Sequence, residues 1–248
     1  MKLLLSMALV LPLLLESPLN SAADELLAEA DSLYDQGGLE RYKRAIDLYL
    51  KVLESAPSDY EANWKCARAH RQYGEEAKRQ GVHDWEGICG RYGKEGMKYA
   101  QRAIEQRPDQ PDGHYYYGLS VGIYSDGVSV VTAVRQGLKG KTQSSLEKAY
   151  ELDKMYDGAG PILALGRFWA VVPWPFRDRQ KALRYYREFE ATEYFVAKVQ
   201  AKVYLAELLL ELDGKGNRAE AKALLEQAKQ SDEEYFRDWA RNLLAEIK

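Results

Sequence analysis

The chain has 248 residues, 46% of them hydrophobic and 29% charged, with a formal net charge of −3. That is the mixture of a globular protein, and 19 Gly and 8 Pro are too few for a disordered or collagen-like chain. An acidic surplus supplies no basic stripe, which excludes nucleic acid as the main partner, and no run beyond the leader approaches the length of a transmembrane span.

In chain order, Met1–Lys2 is a basic start and Leu3–Leu15 an apolar run interrupted by Ser6 and Pro12. Ser21-Ala22-Ala23 then places small residues before Asp24. This is the layout of a secretory leader, so residues 1–23 are expected to be removed near Ala23, leaving a soluble periplasmic or secreted protein. No Cys precedes Cys66, so no lipid-attachment cysteine lies near the cut.

From Asp24 onward the apolar residues recur at three and four, as in Ala45, Ile46, Tyr49, Leu50, Val52 and Leu53. That spacing makes one apolar helix face. Breakers punctuate it at Gly37-Gly38, Pro57, Gly74, Gly81, Pro108, Pro111, Gly158–Pro161, Pro173, Pro175 and Gly214–Gly216. Short helices between such breaks predict an all-α protein.

The helices repeat. Arg44–Pro57, Glu95–Pro108 and Lys141–Lys154 share a small residue, an apolar one four later, another three further on and a terminator. The positions are Ala45, Tyr49, Val52, Pro57, then Gly96, Ala100, Ala103, Pro108, then Thr142, Leu146, Ala149, Lys154. Ala182-x3-Tyr186-x2-Phe189 and Ala221-x3-Leu225-x2-Ala228 keep the front half. A second motif follows each terminator at a similar distance: AxWKCA at Ala62–Ala67, GHYYYG at Gly113–Gly118, and in the same place later LALG at Leu163–Gly166 and YLAEL at Tyr204–Leu208. Small residues on the first helix of a pair are expected to face small residues on the second, letting the backbones approach.

These paired motifs resemble tetratricopeptide repeats, helix–turn–helix units of about 34 residues. The resemblance implies a right-handed α-solenoid of about 11 helices in one domain, 24–248. Its hairpins would span about 24–57, 58–108, 109–154, 155–192 and 193–230, with a capping helix at 232–248. The repeats are irregular at the turn inside each pair: 29 positions separate Ala67 from Gly96 and 24 separate Gly118 from Thr142, against 16 and 15 in the later pairs. Insertions on one edge predict a binding face there, although surface loops also tolerate length at little cost. The first insert, Tyr73–Gly93, carries Trp85, Ile88 and Tyr92. In the second, Tyr124–Lys141, the residues Val128, Val131, Val134 and Leu138 share one helical face, which must bury against its own repeats, a partner subunit or an apolar ligand.

The stretch from Gly137 through Leu212 adds a narrower likeness. GLKGKTQSSLEKAYELDKMYDGAGPILALGRFWAVVPWPF and the later AKVQAKVYLAELLLEL resemble the T-component family of tripartite ATP-independent periplasmic (TRAP) transporters, over about Gly87–Leu212. That resemblance implies a periplasmic adaptor that engages the transporter's solute-binding subunit, forms a homo-trimer and holds a hydrophobic acid in an apolar cleft. The chain departs from it in lacking the lipoprotein cysteine many members carry.

Cys66 and Cys89 are the only cysteines. A disulfide between them would contribute about 3 kcal/mol; a buried thiol at Cys66 is the alternative. A four-ligand metal set of Cys66, His70, His83 and Cys89 is a weaker third. His114 stands where such repeats prefer Trp and is expected to pack or cap. The acidic pairs Glu75-Glu76 and Glu233-Glu234 read as charged helix surface. No nucleophile elbow, zinc-protease motif or phosphate loop is present, so the sequence points to a non-enzymatic binding protein without a cofactor. Its candidate binding residues are Trp85, His114, Tyr115, Tyr116, Tyr117, Tyr124, Val128, Val131, Trp169, Trp174 and Phe176. A scaffold for envelope or secretion assembly is the alternative function.

Overall fold

Every turn between helices is made by a local device the sequence supplies. Gly37 and Gly38 adopt φ of 69° and 92°, the left-handed region glycine enters freely, and so reverse the chain between α1 (Pro18–Gln36) and α2 (Leu39–Ser55). Asp59 accepts from the Ala62 N–H at 2.7 Å and starts α3 (Tyr60–Arg79), which pairs with α4 (Trp85–Gln106). Pro111 sits in the first turn of α5 (Pro111–Asp126), where its missing N–H costs nothing. After it come the short α6 (Val130–Arg135), capped by Ser129, and α7 (Leu138–Asp153). Then α8 (Tyr156–Val171) pairs with α9 (Arg179–Glu190), and α10 (Val199–Leu212) with α11 (Lys215–Ala228), before α12 (Glu234–Glu246) closes the stack.

The computed structural model describes residues 18–247, so Leu3–Leu15 lies outside them and the expected cut after Ala23 falls inside α1. Five helical hairpins and a terminal helix make up the described residues. All regular structure among the described residues is helix, in twelve pieces, because α6 adds one to the ten paired helices and the cap. The core runs the length of the stack, from Ala30 and Tyr49 through Leu146 and Tyr186 to Leu209 and Ala240.

In the α3–α4 pair the expected small-against-small match holds, a Cβ on Gly96 lying 3.4 Å from the Ala67 carbonyl oxygen, but two later pairs differ. A Cβ on Gly118 would lie 2.8 Å from Leu146, and one on Gly166 would lie 2.5 Å from the Tyr186 ring. In these two pairs the small residue on the first helix receives a large one from the second, the interlocking that close-packed helices require. The first insert is not a loop either. Its residues lengthen α3 and α4 to 20 and 22 residues, leaving a short turn between them. Glycines allow α5 to lie against the extension: a Cβ on Gly93 would come within 2.5 Å of the Tyr124 backbone nitrogen, and one on Gly127 within 2.2 Å of the Gly90 nitrogen.

Two further expectations are corrected. The apolar face of α6 is not buried: Val130, Val131 and Val134 are 67–70% exposed, and only Leu138, which begins α7, is enclosed. Cys66 and Cys89 are both free and buried. The Cys89 thiol donates to the Gly74 carbonyl at 3.4 Å, and Gly74 lies two turns, about 12 Å, beyond Cys66 on α3. That separation exceeds the reach of a disulfide.

Candidate interaction groove

The first helices of successive pairs stand side by side, and their facing side chains build an inner wall. Trp64 on α3 stacks on Tyr116 of α5, with centroids 5.8 Å apart and planes within 5°. Tyr115 and Tyr116 meet Tyr156 of α8 edge-on at 5.6 and 6.3 Å. Tyr204 of α10 packs edge-on against Phe236 and Trp239 of α12 at 6.0 and 5.6 Å. The hydroxyls of Tyr60 and Tyr156 both donate to Asp112, at 2.7 and 2.9 Å, tying α3, α5 and α8 at one end.

Set into this aromatic wall is a charged stripe on α3. Trp64, Arg68, Arg71, Glu75 and Arg79 follow one another at four, three, four and four residues, which keeps them on one face. Arg68 lies 3.9 Å over the Tyr34 ring of α1 and pairs with Asp31 at 3.3 Å. Glu75 pairs with Arg79 at 3.0 Å and with Arg71 at 3.5 Å. Arg79 crosses to the far end of the stack and sits over Tyr235 and Phe236 of α12, at 5.4 and 5.0 Å. The lengthened α3 thus spans the groove, and its tip reaches the cap. Arg167 of α8 continues the pattern, pairing with Glu207 at 2.6 Å beneath Tyr204 and Trp239.

Burial shapes the charges here. Desolvation alone would push the Glu75 carboxyl up, but Arg71, Arg79 and Lys78 outweigh it and hold it below its usual range. Burial pushes the Tyr34 phenol up to about 12 against the pull of Arg68 and Arg71. The Nε–H groups of Arg68 and Arg71 are enclosed and meet no acceptor. Both guanidinium charges act on Asp157, held with Gly158 and Ala159 at φ of 50°, 66° and 60° in a left-handed turn that opens α8. Non-glycine residues pay for that conformation with about 1–3 kcal/mol each, and such strain gathers at working sites. Burial raises the Asp157 carboxyl above its ordinary value, opposed by Lys198, Arg68 and Arg71. Of the Gly158–Pro161 segment, expected as a turn between hairpins, Gly158 and Ala159 belong to the turn, while Gly160 and Pro161 already lie in the helical run that follows.

The sequence candidates separate into three places. Tyr115 and Tyr116 are buried in the inner wall. His114 joins the turn before α5, its Nε2 2.9 Å from the Pro108 carbonyl oxygen, while Tyr117 packs half-buried against the core. Trp85 and Tyr124 lie at the α3–α4 tip, with Lys78 5.9 Å over the Trp85 ring. The third place is an outer edge. There Trp169 is buried beneath Lys181 at 3.9 Å, Val128 is half-buried, and Val131, Trp174 and Phe176 are exposed. Residues the candidate set omits are Tyr34, Trp64, Arg68, Arg71, Arg79, Asp157 and Arg167; Glu75, read as surface, belongs to the groove. For those on α3 the signal is its periodicity, in which Arg, Trp and Glu occupy one face; Tyr34, Asp157 and Arg167 lie on α1 and α8 and carry no such signal.

Cys66 and His70 stand in the arrangement of a nucleophile and base, with sulfur and Nδ1 3.5 Å apart. Both are sealed in the core. Burial pushes the Cys66 thiol far up and the His70 imidazole down to about 4, so both are neutral. Nδ1–H donates to the Cys66 carbonyl at 2.8 Å, and the ring stacks on Tyr99 at 5.5 Å. His83 is exposed in the α3–α4 turn, apart from that pair, so the four-residue metal set does not assemble. No group of three or more His, Cys, Asp or Glu side chains converges among the described residues.

Comparison with known proteins agrees with the fold. A thermophilic TPR protein of Thermus thermophilus superposes over 90% of this chain and 99% of its own, with a TM-score of 0.65 at 20% identity. Regulator of microtubule dynamics protein 1 of Mus musculus is 26% identical over 193 residues, 68% of this chain and 56% of that protein. Its Bos taurus counterpart is 28% identical over 170 residues, 64% of this chain and 47% of that protein. The chain thus spans about half the length of these relatives. The T-component likeness read from Gly87–Leu212 finds no support in these comparisons. The profile of the family described as regulator of microtubule dynamics protein 1-3 matches residues 26–169, more than half of the chain, and the chain belongs to that family.

Proposed function

We propose that the protein is an adaptor whose inner groove holds an extended acidic segment of a partner protein. The observation that carries this reading is the α3 stripe, where the partly buried guanidinium groups of Arg68 and Arg71 stand in an aromatic wall, Arg68 directly over the Tyr34 ring. A hydrogen bond between such a guanidinium and an arriving carboxylate contributes about 1.5–3 kcal/mol. The aromatic rings Tyr34, Trp64 and Tyr156 supply rigid contact area beside it, at small entropic cost. The reading is non-enzymatic: the wall offers cations and rings, and the Cys66–His70 pair is closed to substrate. The transporter form of an adaptor, with a solute-binding subunit, an apolar acid and a trimer, has no relative behind it and gives way to this one.

The relatives are named as regulators of microtubule dynamics, and a chain retained inside the cell would be tried first against a microtubule-associated protein. The leader pattern in residues 1–23 supports export instead, and we take export as the working localisation. The mass of the mature protein tests it: loss of residues 1–23 is expected, and a retained N terminus would sink it. The groove itself is tested by fluorescence anisotropy with a labelled Glu-rich decapeptide and its Gln counterpart. The Glu peptide should bind, the Gln peptide should bind ~10-fold more weakly, and Arg68→Gln should remove the difference. Equal binding of the two peptides would refute the reading.

A further inference from the structure

The outer edge described above is distinct from the groove and is built from two segments. The first is α6, whose Val130, Val131 and Val134 point into solvent. The second is the loop between α8 and α9, where Trp174 is 86% exposed and Phe176 51%. Lys139, four residues beyond α6, joins them: its Nζ lies 5.4 Å from the Phe176 ring and 5.5 Å from Trp169. These side chains stand out from the surface as points and do not line a cleft. Isolated exposed apolar residues are ordinary, but six residues of short helix with three bare valines beside a bare Trp are not.

The charge around the points has one sign. Between Tyr124 and Lys141 the chain carries Arg135, Lys139 and Lys141 against Asp126 alone. Between Val171 and Arg184 it carries Arg177, Arg179, Lys181 and Arg184 against Asp178 alone. Asp178 is occupied as the cap of α9, accepting from the Lys181 N–H at 2.8 Å, and Asp126 accepts from Lys78 at 2.8 Å. Glu211 answers Arg177 and Arg179, and Glu147 answers Lys181. Arg135, Lys139, Lys141 and Arg184 form no ion pair among the described residues. So a chain of net charge −3 concentrates unpaired cations around its most exposed Trp and Phe and three bare valines.

We infer that this edge docks the protein on an anionic lipid bilayer. Val side chains and an indole ring enter the boundary between headgroups and acyl chains, where Trp is favoured, while the cations meet anionic headgroups. Protruding points suit a deformable apolar liquid. A protein partner would need a matching set of holes, and a second copy of this edge would bring unpaired cations against unpaired cations.

Flotation of the full chain with vesicles tests it, using phosphatidylcholine alone and phosphatidylcholine with about a third phosphatidylserine. Binding should be ~10-fold greater on the anionic vesicles and should fall as salt rises. The double variant Val131→Asp with Trp174→Ser should lose ~10-fold or more of it, and Arg135→Gln with Lys139→Gln and Lys141→Gln should remove the salt dependence. All five positions are solvent-facing or on the edge, and helical circular dichroism confirms folding. As a second readout, brominated lipid should quench tryptophan fluorescence in the native chain and much less in Trp174→Phe. Equal binding to the two vesicle types, binding indifferent to both sets of substitutions, or self-association through this edge in place of vesicle binding would overturn the inference.

Discussion

The contact between α4 and α5 gives the sharpest stability test, because two glycines near it should respond with opposite signs. A Cβ on Gly93 would lie 2.5 Å from the Tyr124 nitrogen, 2.7 Å from its Cα and 2.9 Å from its Cβ. The obstacle is backbone, so Gly93→Ala requires the two helices to part by roughly 1 Å. Overpacking of that kind costs about 3 kcal/mol at its upper range, and the better helix propensity of Ala returns about 1. A net loss of about 2 kcal/mol corresponds to a melting midpoint about 4–8 °C lower for a chain of this size. Gly122 is two residues from Tyr124 on the same helix and has open space where its Cβ would be. Gly122→Ala should therefore stabilise by about 1 kcal/mol, raising the midpoint about 2–4 °C. Thermal unfolding followed by circular dichroism compares the two directly. If Gly93→Ala equals Gly122→Ala or exceeds it in stability, α5 does not lie against α4 at this distance, and the placement of Tyr115 and Tyr116 in the wall falls with it.

Three further outcomes follow from the core and the groove. His70 is buried neutral with its pKa near 4, below the unfolded value of 6.5. Its contribution is whole above pH 6.5 and drains as pH falls toward 4, about 2 kcal/mol between pH 7 and pH 5; urea titrations of the native chain against His70→Gln should show that difference, and parallel pH curves would contradict it. Cys66 and Cys89 should both resist a thiol reagent in the folded state and both react in denaturant, burial having pushed the Cys89 thiol up to about 11; a pair that stays unreactive until reduced would restore the disulfide. Arg79→Ala should speed amide exchange in Glu234–Glu246 by ~5-fold while leaving Leu39–Ser55 unchanged, since the Arg79–Phe236 contact is of order 1 kcal/mol; unchanged exchange in α12 would show that α3 does not hold the cap.

The hairpins were legible because spacing and terminators are local. Ala45, Tyr49 and Val52 fall on one helical face wherever the helix lies, and Pro57 or Pro108 ends it regardless of neighbours. The groove was less legible. Arg71, Glu75 and Arg79 have the spacing of solvent-facing ion pairs, and only the curl of the stack, which brings α12 over the tip of α3, encloses them. Counting residues between Ala67 and Gly96 located extra length but could not tell a loop from two longer helices; the glycines at 90, 93 and 96 on α4 were the available signal for helix packing. Amphipathic spacing in Val128–Leu138 likewise established a helix without establishing that anything covers it. Asp157 escaped notice because a left-handed turn aims its side chain, and a Gly-rich stretch does not reveal that direction.

That the protein grips its partner along the inner wall is tested most directly by mapping the contact itself. A Glu-rich peptide carrying a photoreactive benzophenone, crosslinked to the full chain and located by mass spectrometry, should attach around Tyr34, Trp64, Arg68 and Tyr156. Attachment concentrated on Val130–Arg135 or Trp174–Phe176, with the inner wall untouched, would contradict it.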